Sequence, residues 1–157
     1  MTTLDATPKW LDEAEMRAWR TFIETFADLQ SALDADLERE QQISLGDYQV
    51  LVFLSEAPKR RMRMCDLASV LHLSPSGLTR RLDGLVREGA VERQPSAEDR
   101  RVLLAVLTDQ GLARITAAAP SHVASVRRRL LDALTGEQVR QLGDILDAVR
   151  ARLESDD

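Results

Sequence analysis

At 157 residues, 44% hydrophobic and 30% charged, with a formal net charge of −5, the chain has the size and apolar content for one domain with a sizeable core, which argues against disorder. No apolar run approaches the roughly 20 residues that cross a bilayer, and the N-terminal segment lacks the basic-then-apolar pattern of a secretory signal. The single cysteine, Cys65, leaves no intramolecular disulfide and fits a reducing cytoplasm, the expected compartment.

Residues 1–8 read as a loose tail. From 10 to 41 an amphipathic helix is expected, with Trp19, Phe22, Ile23, Phe26, Leu29, Leu33 and Leu37 at three- and four-residue steps. So long a helix suggests packing against a partner. Ser44 with Asp47 resembles a capping box opening a second helix over 45–57, which Pro58 ends. The basic run Lys59 to Arg63 then leads into 66–88, the most informative stretch. Leu67, Ala68 and Leu71 share one face of a short helix, and Leu78, Leu82, Leu85 and Val86 repeat on a second one. Ser74 can cap that second helix, with Pro75 in its first turn, where a missing N–H costs nothing. Ser76, Gly77, Arg80 and Arg87 point away from the stripe, with Thr79 and Arg81 on its flanks. A short, capped, basic-faced second helix is what a helix-turn-helix lays in a major groove of double-stranded DNA.

After Gly89 the period changes. Two short strands, 90–94 and 102–107, flank a polar segment containing Asp99, Arg100 and Arg101, so that 90–107 forms a basic-tipped hairpin, a wing. Thr108 caps a helix expected to run to about residue 134, kinked at Pro120. Thr135 with Gln138 forms another capping box, starting a last helix with Leu142, Ile145, Leu146, Val149 and Leu153 on its apolar side. The fold expected is mainly α (α+β), one domain over 1–157. Within it lies a winged helix-turn-helix lobe over 45–107, and helices at 10–41 and 109–153 carry apolar stripes that a second copy would cover. The negative net charge does not oppose DNA binding, because residues 59–101 hold ten basic against six acidic residues and the remainder eleven against twenty.

The stretches LSPSGLTRRLDGLVREGAVER, beginning at Leu73, and EDRRVLLAVLTDQG, beginning at Glu98, resemble the MarR family of bacterial transcription regulators. In the second, Asp99, Arg101, Leu107 and Thr108 match the family's wing pattern. The resemblance implies a winged-helix homodimer joined through its first and last helices, and a repressor released from a palindromic operator by a small-molecule effector; some members activate instead. It implies that an Asp99–Arg101 pair orders the wing tip and leaves Arg100 to probe the minor groove. It also implies an effector pocket near the first, second and fifth helices, for which Trp19 and Tyr48 are the candidates. His72 stands where many helix-turn-helix proteins place glycine, and Cys65 where serine or threonine is common.

The DNA-contacting set is therefore Ser74, Ser76, Gly77, Thr79, Arg80, Arg81, Arg93, Asp99, Arg100 and Arg101. Arg80 is the choice for a guanine contact, Arg81 for phosphate, and Arg93 for the backbone at the strand base. The alternative for each arginine is an ordinary solvated charge, and Lys59 to Arg63 reads equally as a solvated linker or a phosphate contact. Cys65 is either an inert small residue or, in an oxidant-sensing repressor, the reactive thiol. No paired carboxylates in a cleft context, glycine-rich phosphate loop, nucleophile–base pair or Cys/His cluster is visible, so neither an enzyme nor a metal or other cofactor is expected. A winged helix used only for protein contacts is the remaining class, but it would not need the paired arginines at 80–81 and 100–101.

Overall fold

The computed structural model describes residues 8–155, so the expected N-terminal tail lies almost wholly outside the described residues. Helix α1 (Glu13–Gln41) starts three residues later than its pattern suggested, because Asp12 caps it and forms a reciprocal box with Glu15. Helix α2 (Leu45–Glu56) begins where Ser44 accepts the Asp47 N–H at 3.0 Å. Only that half of the expected box forms, because the Asp47 carboxylate is used elsewhere. From Pro58 the chain makes a short 3₁₀ turn (Pro58–Arg60) and then a strand not expected from the sequence, β1 (Arg61–Arg63).

The helix-turn-helix consists of α3 (Met64–Val70) and α4 (Pro75–Arg87). Between them His72 adopts φ 52°, in the left-handed region that histidine tolerates better than most residues. Its N–H reaches the Ser69 carbonyl at 3.0 Å, and the Leu73 N–H reaches that of Ala68 at 2.9 Å. The hairpin is formed by β2 (Val91–Pro95) and β3 (Leu103–Leu107), and the three antiparallel strands lie in the order β1-β3-β2. Thr108 accepts the Gly111 N–H and opens α5 (Asp109–Arg129), which runs through Pro120 without interruption and stops five residues short of the expected end. The expected Thr135–Gln138 box is present and starts α6 (Gly136–Ser155).

The core sits in the winged lobe, where Val50, Leu51, Leu54, Leu67, Leu82, Val91 and Ala105 are fully buried. Ala68, small at the α3–α4 crossing, is buried too. The outer helices are different. Helix α6 buries none of its residues, and α1 buries only Asp36 and Leu37. Asp36 ties α1 to α5: it accepts from Ser125 and from the guanidinium groups of Arg128 (3.0 Å) and Arg129 (2.7 Å), besides its own neighbour Arg39 (2.6 Å). Arg129 first, then Ser125 and Arg39, hold this carboxyl well below the usual range. Trp19, Phe22, Ile23 and Phe26 on α1 remain about half exposed, as do Ile145 and Val149 on α6.

Candidate nucleic-acid interface

The first turn of α4 is built by its cap. Ser74 Oγ accepts the Gly77 N–H at 3.1 Å and lies 3.3 Å from Ser76 Oγ, so a pair of hydroxyls crowns the helix N-terminus. Thr79 donates its hydroxyl to the Pro75 carbonyl at 2.9 Å, leaving oxygen lone pairs for an outside donor. Leu78, Leu82 and Leu85 are buried, which turns Ser74, Ser76, Thr79 and Arg80 to the exposed side, with Gly77 half-buried beside them. Arg80 has no carboxylate partner among the described residues.

The other arginines of the set divide by their partners. Arg81, expected at phosphate, is folded back against α2: Nη1 pairs with Asp47 at 3.2 Å, and the guanidinium lies where a side chain on Gly46 would stand. A cation there opposes the positive end of the α2 dipole, and Asp47 supplies the compensating charge. Arg93, expected at the DNA backbone, bridges two elements in this structure. From β2 it donates to the Thr79 carbonyl at 2.9 Å and to Asp83 at 2.8 Å on α4, holding the hairpin against that helix. Gly46 and Asp83 carry no mark in the sequence, and Asp47 reads there only as a capping residue, because nothing local marks a carboxylate as the partner of an arginine ten or 34 residues away.

At the wing tip the Asp99–Arg101 pairing expected from the resemblance is present. Asp99 accepts the Arg101 backbone N–H at 3.0 Å and its Nε at 3.2 Å, and the backbone bond, then the guanidinium, lowers the Asp99 pKa. Arg101 still projects almost fully into solvent, and Arg100 is exposed with no carboxylate partner among the described residues.

Away from this surface, a cavity of about 880 Å³, wide open to solvent, lies between α2 and α5, lined by Tyr48, Val52, Leu112, Ile115, Val123 and Arg127 among others. The Tyr48 ring meets the His122 imidazole at a centroid distance of 4.7 Å. His122 Nδ1 is buried without a hydrogen-bond partner, and burial lowers the His122 pKa while raising that of Tyr48. Trp19, the other pocket candidate, does not line this cavity. It belongs to the exposed stripe of α1, because an apolar residue on a long helix follows the same period whether a ligand, the core or another chain covers it. Cys65 is exposed, its thiol 3.5 Å from Asp66. Among the described residues no group of His, Cys, Asp and Glu could hold a metal, and no helix is long and apolar enough to cross a membrane.

Residues 43–103 match the model of the MarR family. The transcriptional repressor YetL of Bacillus subtilis is 31% identical over 108 residues, 67% of this chain, and the chain spans just under two thirds (65%) of that relative's length. Among solved structures, the MarR family transcriptional regulator AbsC from Streptomyces coelicolor is 38% identical and superposes with a TM-score of 0.86, covering 94% of this chain and 99% of that one. A second MarR family regulator from Streptomyces coelicolor, determined in complex with DNA, is 37% identical with a TM-score of 0.85, covering 92% and 94%.

Proposed function

Because the chain belongs to the MarR family of transcriptional regulators, we propose that it binds a palindromic operator as a homodimer and represses transcription until a small-molecule effector releases it. The observation that carries this reading is the capped N-terminal turn of α4, which presents Ser76, Thr79 and an unpaired Arg80 beside a wing whose tip is ordered by Asp99 and Arg101. A helix N-terminus with free donors and an unpaired guanidinium suits a major groove, and an arginine-bearing hairpin suits the adjoining minor groove. The half-exposed aromatic stripe of α1 and helix α6, none of whose residues is fully buried, supply apolar surface for a second copy, and the two α4 helices of the pair would meet half-sites roughly 10 base pairs apart. The Tyr48 cavity, mostly apolar with a few polar groups, is the place for the effector. Such a regulator works in the cytoplasm. The exposure of Cys65 favours a second reading, release by oxidation, which fails if Cys65→Ser still leaves DNA on treatment with peroxide.

The decisive experiment replaces Arg80 by alanine. A bidentate guanine contact is worth about 1–3 kcal/mol, so operator affinity drops roughly 5- to 150-fold while the melting temperature stays put, because Arg80 supports nothing within the fold. Equal operator affinity of the two proteins would remove Arg80 from the reading head.

A further inference from the structure

The five residues Lys59 to Arg63 hold four cations, and the structure gives them a definite arrangement. Lys59 and Arg60 both take left-handed backbone, at φ 56° and 54°. Two successive side-chain-bearing residues in that region are costly, and such conformations persist only where the surroundings impose them. Here the Arg60 N–H bonds the Ala57 carbonyl at 2.9 Å, and its guanidinium pairs with Asp109 at 3.1 Å. The following strand is then locked to β3 in the register Arg61↔Val106, Met62↔Ala105, Arg63↔Leu104. Alternation along β1 sends Met62 towards the core and leaves Arg61 and Arg63 exposed.

A solvated linker would not need this construction. The charges are also sorted by partner. Arg60, Arg81, Arg93 and Arg101 on the winged lobe, and Arg114 on α5 beside it, each have a carboxylate within ion-pair distance. Among the described residues Lys59, Arg61 and Arg63 have none, as Arg80, Arg87 and Arg100 have none, although Asp66 and Glu98 border the same groove as the first three. That groove also contains Ser96, so the three cations and the hairpin's connecting segment form one continuous surface.

We infer that Lys59, Arg61 and Arg63 form a phosphate-binding ridge that grips the DNA backbone outside the base pairs read by α4. The inference rests on the DNA-binding function proposed above. Strand order places the ridge on the edge of the sheet opposite β2, the strand that Arg93 ties to α4. Two strand spacings separate β1 from β2, about 10 Å, so the ridge meets phosphates beyond the wing. Contacts of this kind add affinity and register without sequence information.

The test uses full-length protein and two duplexes, an operator recovered by in vitro selection and a scrambled sequence of the same length, titrated at several salt concentrations. For the double variant Arg61→Ala/Arg63→Ala, the slope of log K against log salt falls by about 0.9 for each phosphate contact removed. Affinity for both duplexes drops by the same factor, so the operator-to-scrambled ratio is unchanged. Trimming the flanks of the operator weakens the wild type but not the variant, and Arg61→Lys/Arg63→Lys keeps most of the slope. An unchanged slope, or a changed ratio, overturns the ridge while leaving the proposed function standing. A wild-type protein that shows no salt-dependent preference for any operator overturns both.

Discussion

Arg93 separates a strut from a DNA contact, and its replacement by alanine distinguishes them sharply. Its Nη2 holds the Thr79 carbonyl at 2.9 Å and Asp83 at 2.8 Å, with the arginine side chain 28% exposed. A hydrogen bond to a charged group contributes about 1.5–3 kcal/mol when sheltered. Asp83 is half in solvent, which reduces its share towards the 0–1 kcal/mol of a surface pair. The net loss on Arg93→Ala is then roughly 1–2 kcal/mol, which for a chain of this size lowers the melting temperature by roughly 3–6 °C. Because the same bonds hold β2 against α4, operator affinity also falls, as wing and recognition helix lose their fixed separation. The informative partner is Asp83→Ala. If Arg93 is a strut, this change reproduces both the lowered melting temperature and the weakened operator binding, and the double variant is little worse than either single one. If Arg93 instead meets phosphate, Asp83→Ala removes a neighbouring negative charge and strengthens DNA binding, while Arg93→Ala melts within about 1 °C of wild type. Thermal melts with anisotropy titrations of the three variants decide the matter, and tighter binding by Asp83→Ala refutes the strut.

Gly111, in the first turn of α5, passes so close to β2 that an added Cβ would lie 2.2 Å from the Ala90 carbonyl oxygen. Since a backbone atom cannot swing aside, Gly111→Ala costs about 1–3 kcal/mol by overpacking, read as a lowered urea midpoint at unchanged slope. Burial depresses the His122 pKa, so the unfolded chain takes up a proton near its ordinary value of about 6.5 while the folded protein resists. Stability therefore falls as pH drops through about 6.5 and levels off below the folded value. His122→Phe, which also removes the unpartnered Nδ1, flattens that limb of the stability–pH curve measured by urea titration. Finally, Phe22 and Phe26 stack at 6.1 Å on the open face of α1. Phe26→Lys in light scattering is expected to shift the protein from dimer to monomer without unfolding it, and a mass unchanged from the wild type's would place the interface elsewhere.

The helices were legible because their signals are local. Ser44, Ser74, Thr108 and Thr135 each cap the helix they were expected to cap, and the buried positions of α4 fall on the stripe Leu78, Leu82, Leu85. What escaped the sequence depends on residues distant along the chain. Strand β1 is only three residues long and exists through its pairing with β3 some forty positions later, so alone it reads as a basic linker. The same limit governs the arginines. Arg80, Arg81 and Arg93 look alike in the sequence, yet one is free, one leans on Asp47, and one clasps Asp83. Ion pairing is decided by which carboxylate the fold brings within 4 Å, and on the function proposed above that choice separates the groups that hold the surface together from those free to meet DNA. By this argument the exposed cations without a carboxylate among the described residues, Arg80, Arg87 and Arg100 together with Lys59, Arg61 and Arg63, should dominate the salt dependence of binding. Arg81 and Arg93 should instead make themselves felt through stability.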